Sequence, residues 1–137
     1  MSANYLLDAS AVLAFLQGEP GAEIVGHTLQ SGAPCWVSAA NQAEIIAKAL
    51  DRGLEPESLR DILRDLDYRV VDNTADDGAE AGWMREATRS LGLSLGDRLC
   101  LATARRLGTS VLTADRAWLG LGKTLQINIQ LTRPGNH

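Results

Sequence analysis

The chain is poor in the residues that build covalent or soft-metal frameworks, with two cysteines and two histidines in 137 residues. Cys35 and Cys100 lie far apart, form no C-x-x-C pair and sit in apolar segments, so buried reduced thiols are expected rather than a disulfide or a zinc site. His27 and His137 offer no ligand spacing either. No apolar run approaches the roughly 20 residues of a membrane helix, and "MSANYLLD" has neither a basic leader nor a signal-like stretch, which points to a cytoplasmic protein with no membrane partner. Repeats, linkers and low-complexity tracts are absent. Lysine is scarce as well: Lys48 and Lys123 are the only lysines among 13 basic residues, and the rest are arginine, the side chain best shaped for bidentate phosphate or carboxylate contacts. A net charge of −4 argues mildly against a large phosphate-binding surface without excluding one.

What is present suits one domain over residues 1–137 with a real core. "NYLLD" at 4–8 reads as a short buried strand, followed by a helix stopped at Gly18 and a second short helix after "EPG". "PCWVS" at 34–38 is the next strand, and the helix behind it ends at Gly53, the expected C′ residue. In "PESLRDILRDL", Leu59, Ile62, Leu63 and Leu66 fall at i, i+3, i+4 and i+7, with Pro56 at the start. "YRVVD" at 68–72 reads as a strand. A helix is expected over 74–91, with Thr74 and Asp77 as a capping box and Ala79, Trp83 and Ala87 along one face. A helix over 96–107, a strand over 110–114, a short turn or helix from Asp115 and a last strand within "LQINIQLT" complete the chain. Strands alternating with helices call for a mostly parallel sheet covered on both faces.

Four acids stand at the joints of that pattern. Asp8 closes the first strand and Asp115 follows the fourth. Glu44 lies early in the helix after "PCWVS", and Asp97 opens the helix before "SVLTA". Side chains just beyond the carboxyl ends of parallel strands converge in one crevice. Each acid also has a purely structural account: Asp8 and Asp115 as N-caps, Asn41-x-x-Glu44 and Ser94-x-x-Asp97 as capping boxes. Together, however, four carboxylates repel unless a cation neutralises them, and an all-oxygen set suits Mg²⁺ or Mn²⁺ rather than zinc. Such ions activate water for phosphodiester cleavage.

"LLDASAVLAFLQGEPGAE", "SAANQAEI", "LSLGDRLCLATARRLG" and "VLTADRAW" resemble, in order, the PIN-domain ribonucleases, most closely the VapC-like toxins of type II toxin–antitoxin pairs. The resemblance implies a three-layer α/β/α sandwich around a central mostly parallel sheet. It also implies an endoribonuclease dependent on Mg²⁺ or Mn²⁺, with Asp8, Glu44, Asp97 and Asp115 as its catalytic, metal-binding acids. Ser10 supplies the small hydroxyl residue that the family places two positions after the first acid, and Thr113 is expected to orient the fourth acid. The partners implied are an RNA substrate and a VapB-like antitoxin, whose tail crosses the apolar groove of a toxin homodimer and sets an arginine among the acids. The leucines of 59–66 would line that groove or pack in the core. Arg98, Arg105 and Arg106, on the Asp97 helix, are candidates for steering RNA phosphates or for a solvated helix face.

Two other enzyme and binding classes fit poorly. A phosphatase of the HAD type needs a second Asp two residues after the first, where this chain has Ser10. A dinucleotide-binding module needs a G-x-G-x-x-G turn, which "DASAVL" lacks.

Overall fold

Five short segments rich in apolar and β-branched residues form one sheet in a computed structural model that describes residues 3–133; His137 lies outside them. The strands are β1 (Tyr5–Leu7), β2 (Cys35–Ser38), β3 (Arg69–Val71), β4 (Ser110–Thr113) and β5 (Ile129–Leu131), and their order is β3-β2-β1-β4-β5. Every pairing is parallel, with Leu6 opposite Trp36 on one side and Val111 on the other. Because successive strand residues face opposite ways, Leu6 and Leu7 bury into two different cores. Each is wholly enclosed, and each contributes roughly 1.5–3 kcal/mol by leaving water.

The helices divide between those two cores. On the Leu7 side lie α1 (Ala9–Leu16), α2 (Ala22–Gln30) and α3 (Ala39–Asp51), which bury Val12, Val25 and Ile45 with Val37 and Leu112; α4 (Pro56–Asp65) adds Leu63 at its edge. On the Leu6 side lie α5 (Ala75–Trp83), the one-turn α6 (Arg85–Thr88), α7 (Leu95–Leu107) and α8 (Leu121–Leu125), packing Ala81, Met84, Cys100, Leu101 and Leu125 around Val111 and Trp118. The result is the three-layer α/β/α sandwich expected. Helix ends follow local chemistry: Gly53 and Gly108 take the left-handed conformation just past α3 and α7, where a Cβ is strained.

Two expectations need correction. The helix over 74–91 is broken into α5, α6 and a 3₁₀ turn at Arg89–Leu91. Gly78 and Gly82 weaken it, and the Thr88 hydroxyl competes for the Met84 carbonyl at 2.8 Å. Its buried face is also not the one expected. Asp77, Ala81, Met84 and Thr88 point inward, while Ala79 and Ala87 are exposed and Trp83 is 82% exposed. The Thr74–Asp77 capping box does form, and Asp77 also binds Thr103 and Arg106 of α7, which fixes the helical phase and turns Trp83 outward. In α4, Leu59 is buried and Leu63 and Leu66 are partly buried against the core, leaving Ile62 as the exposed member of the four.

Candidate active site

Asp8 leaves β1 in extended conformation, so its side chain turns back and accepts the Ala11 N–H at 2.9 Å as the N-cap of α1. The same carboxylate takes the Thr113 hydroxyl at 2.7 Å, and the Ser10 hydroxyl lies 2.8 and 2.9 Å from its two oxygens. Ser10 in turn accepts the Ala114 N–H at 3.0 Å, and Thr113 accepts the Asp115 N–H at 3.1 Å. One carboxylate therefore ties the carboxyl end of β1 to that of β4. Asp8 is 2% exposed. Burial pushes its carboxyl up to about 6 despite the donors around it, and the charge of Asp97 adds to the rise.

Glu44 and Asp97 arrive from opposite layers. Ser38, the last residue of β2, caps α3 by accepting the Asn41 N–H. Asn41 is therefore inside the helix, and the Asn41-x-x-Glu44 capping box does not form. Its side-chain NH₂ instead donates forward to Glu44 Oε1 at 2.7 Å and across to the Gly96 carbonyl at 3.3 Å. Asp97 closes a capping box with Ser94 at the start of α7. The Cys100 thiol, one turn further on, is held well above its usual range by burial and then by the charges of Asp8, Asp97 and Glu44. Three of the four acids thus act on one buried atom. Asp115 is exposed and caps the 3₁₀ turn Arg116–Trp118 through the Ala117 N–H at 2.9 Å; it reaches the cluster through Thr113.

Each acid is thus engaged locally, and among the described residues no three acidic, histidine or cysteine side chains are gathered closely enough to hold a metal ion as they stand. The donor set is nevertheless of the right chemistry. It is all oxygen, and it includes a buried carboxylate that the protein by itself leaves reluctant to ionise, a mismatch that a hard divalent cation would remove. Both cysteines are free and buried, as expected.

The three arginines of α7 are engaged within the fold. Arg98 donates to the Ala81 carbonyl at 2.9 Å, Arg105 to the Leu125 carbonyl and to Glu80, and Arg106 to both oxygens of Asp77 and to the Asp72 carbonyl. Asp77 is 2% exposed. Burial works to raise its carboxyl, but the Arg106 guanidinium, the Thr74 N–H and the Thr103 hydroxyl outweigh it and hold the group low. Arg106→Ala is therefore expected to lower stability by about 1–3 kcal/mol, the loss of charged hydrogen bonds to a buried group, seen as a lower denaturation midpoint at neutral pH. Because the Asp77 carboxyl is depressed in the folded state, its contribution is present at neutral pH and is lost as the solution is acidified through the folded value.

Sequence reasoning missed Asn41 and Gly96 as members of this cluster. A Cβ on Gly96 would stand 2.4 Å from Glu44 Oε1, so glycine makes room for that carboxylate. Ser38, three residues before Asn41, was the available sign that the cap lay upstream and that the Asn41 side chain was free for another task.

An all-parallel α/β/α sandwich whose central strand ends in a buried carboxylate, with further acids brought in from both helix layers, defines an α/β domain with an acidic centre at the strand ends. The chain belongs to the PIN-domain family: the PIN domain model matches residues 5–123. Ribonuclease VapC42 of Mycobacterium tuberculosis is 30% identical over 115 residues, covering 78% of this chain and 87% of that protein. Among solved structures, a toxin–antitoxin complex from Klebsiella pneumoniae superimposes with a TM-score of 0.70 at 16% identity, over 98% of this chain and 100% of the other. VapC20 of M. tuberculosis, described as a sarcin–ricin loop cleaving toxin, gives 0.70 at 18% identity over 86% and 95%.

Proposed function

We propose that this chain is an endoribonuclease dependent on Mg²⁺ or Mn²⁺ and the toxin of a type II toxin–antitoxin pair. The observation that carries the reading is Asp8: a buried carboxylate at the end of the central strand, tied to β4 through the Thr113 hydroxyl and raised to about 6 by burial, with the charge of Asp97 adding to the rise. The ribonuclease names of its relatives support RNA as the substrate. Asp8, Glu44, Asp97 and Asp115 would hold the ion, with Ser10 and Thr113 fixing Asp8 by their hydroxyl groups. When bound, Mg²⁺ or Mn²⁺ supplies activation of water and neutralisation of charge on the leaving oxygen. Thr113 also receives the Asp115 N–H, so one hydroxyl sets the mutual placement of two of the acids. Arg105 and Arg106 keep 39% and 35% of their side chains exposed and are the proposed phosphate contacts on α7, while half-buried Arg98 holds α7 to α5.

The toxin reading adds a restraint. A VapB-like antitoxin is proposed to lay an apolar segment along Ile46 and Leu50 of α3 and Ile62 of α4, which are exposed apolar residues, and to bring a guanidinium to the acids in competition with the ion. A toxin homodimer is the proposed frame for that contact.

One experiment tests the whole reading. The purified chain incubated with RNA and Mn²⁺ is expected to yield 5′-phosphate and 3′-hydroxyl ends, because water rather than the RNA 2′-hydroxyl is the nucleophile. EDTA, or the small protein encoded beside it, is expected to stop cleavage. Full activity in EDTA, or 2′,3′-cyclic phosphate ends, would refute the metal mechanism, and an uninhibited, harmless nuclease would refute the toxin role alone.

A further inference from the structure

Asn41 is 1% exposed and presents its amide to two oxygens, Glu44 Oε1 at 2.7 Å and the Gly96 carbonyl at 3.3 Å. Both are acceptors, so the NH₂ must face them and the amide cannot be turned over. Its own Oδ1 is then buried with no hydrogen-bond partner among the described residues. An unsatisfied buried oxygen is unfavourable, and an apolar residue of the same volume would avoid it. What the amide does with its NH₂ therefore accounts for its presence. The same carboxylate is bounded on its other side by Gly96, where an added Cβ would fall 2.4 to 2.7 Å from all three terminal Glu44 atoms.

We infer that Asn41 and Gly96 are positioning residues for the metal centre: together they fix the Glu44 carboxylate against the first turn of α7, beside Asp97. Without the amide, Glu44 loses the Asn41 N–H donor and regains rotamer freedom. With a methyl group at position 96, Glu44 is displaced although the fold is not. Asn41 also joins α3 to α7 across the strand ends, setting the separation of the two helices that carry Glu44 and Asp97. The inference rests on the metal-dependent reading above.

The two variants predict opposite behaviour from a merely structural role. Gly96 is a helical position without positive φ, and alanine is the better helix former there, while the clashing atoms are the mobile end of Glu44. Gly96→Ala is therefore expected to melt no lower than wild type in EDTA, yet to bind Mn²⁺ about 10–100-fold more weakly in calorimetric titration, the usual effect of losing support for a ligand. Asn41→Leu is expected to weaken Mn²⁺ binding by a similar factor in the wild-type background and by less than about twofold in a Glu44→Gln background. Raising Mn²⁺ should restore most of the cleavage rate in both single variants, because the ligand remains and only its placement has changed.

Unchanged Mn²⁺ affinity in Gly96→Ala, or an equal loss for Asn41→Leu with and without Glu44, would overturn the inference while the metal reading stands. A wild-type chain that binds no Mn²⁺ would overturn both.

Discussion

Asp8→Asn is expected to abolish RNA cleavage while leaving the metal-free protein at least as heat-stable as the wild type at neutral pH. The loss should reach about a thousandfold, equivalent to roughly 4 kcal/mol of transition-state stabilisation. The stability side follows from burial. The Asp8 carboxyl ionises near 6 in the folded chain against 3.8 for a free aspartate. A group raised by folding stabilises in its protonated form, fully below pH 3.8, and that benefit is lost as the pH climbs through about 6. At pH 7 the ionised form therefore destabilises the empty protein by about 3 kcal/mol, taking 1.36 kcal/mol per pKa unit. Asparagine has the same shape and no charge. Its Oδ1 keeps the Ala11 N–H, and its NH₂ faces the Ser10 and Thr113 hydroxyls, which rotate to accept. Part of the 3 kcal/mol is recovered. Thermal unfolding in EDTA at pH 7 and pH 5 is the measurement: the variant should equal or exceed wild type at pH 7, and its advantage should shrink at pH 5, where wild-type Asp8 is largely protonated. Wild-type cleavage by the variant, or a melting temperature several degrees lower at pH 7, would remove Asp8 from the role proposed.

The acids at the joints were legible in the sequence because a parallel strand of three or four residues leaves little freedom to the residue that follows it. Once "NYLLD" and "SVLTA" are strands, Asp8 and Asp115 stand at one rim. The capping reading of Asp8 and Asp97 is also correct, and the two readings do not compete: Asp8 accepts a helix N–H with one oxygen and the Thr113 hydroxyl with the other. The Asn41–Gly96 link was not legible, since it joins residues 55 apart through helices of opposite layers. The phase of α5 was hidden for a related reason. Apolar spacing favoured the face holding Trp83, whereas the pairing of the buried Asp77 with the partly exposed Arg106 decides which face turns inward. Along the arginine stripe on α7, spacing could not show that Arg98 is half-buried against the Ala81 carbonyl, nor that the exposed Arg105 also donates to the Leu125 carbonyl.

The raised Asp8 carboxyl also sets how metal binding should depend on pH. Coordination requires the carboxylate, so below about pH 6 a proton competes with the ion for the same oxygens. Apparent Mn²⁺ affinity is expected to fall about tenfold for each pH unit below that value and to level off above it. Cys100 contributes nothing to the change, because its thiol is held well above its usual range and stays protonated throughout. Cleavage at limiting Mn²⁺ should follow the affinity, losing most of its rate between pH 7 and pH 5. Saturating Mn²⁺ should move the acid limb downward, because the ion displaces the proton from Asp8. Asp8→Asn removes the titrating group, so whatever weak Mn²⁺ binding remains in it should lack this step near pH 6. Calorimetric titrations from pH 5 to pH 8 in both proteins separate the possibilities. A wild-type affinity that is flat from pH 5 to pH 7 would mean that Asp8 is not a ligand, however deeply it is buried. A pH step that persists in Asp8→Asn would assign the competing proton to another acid of the centre.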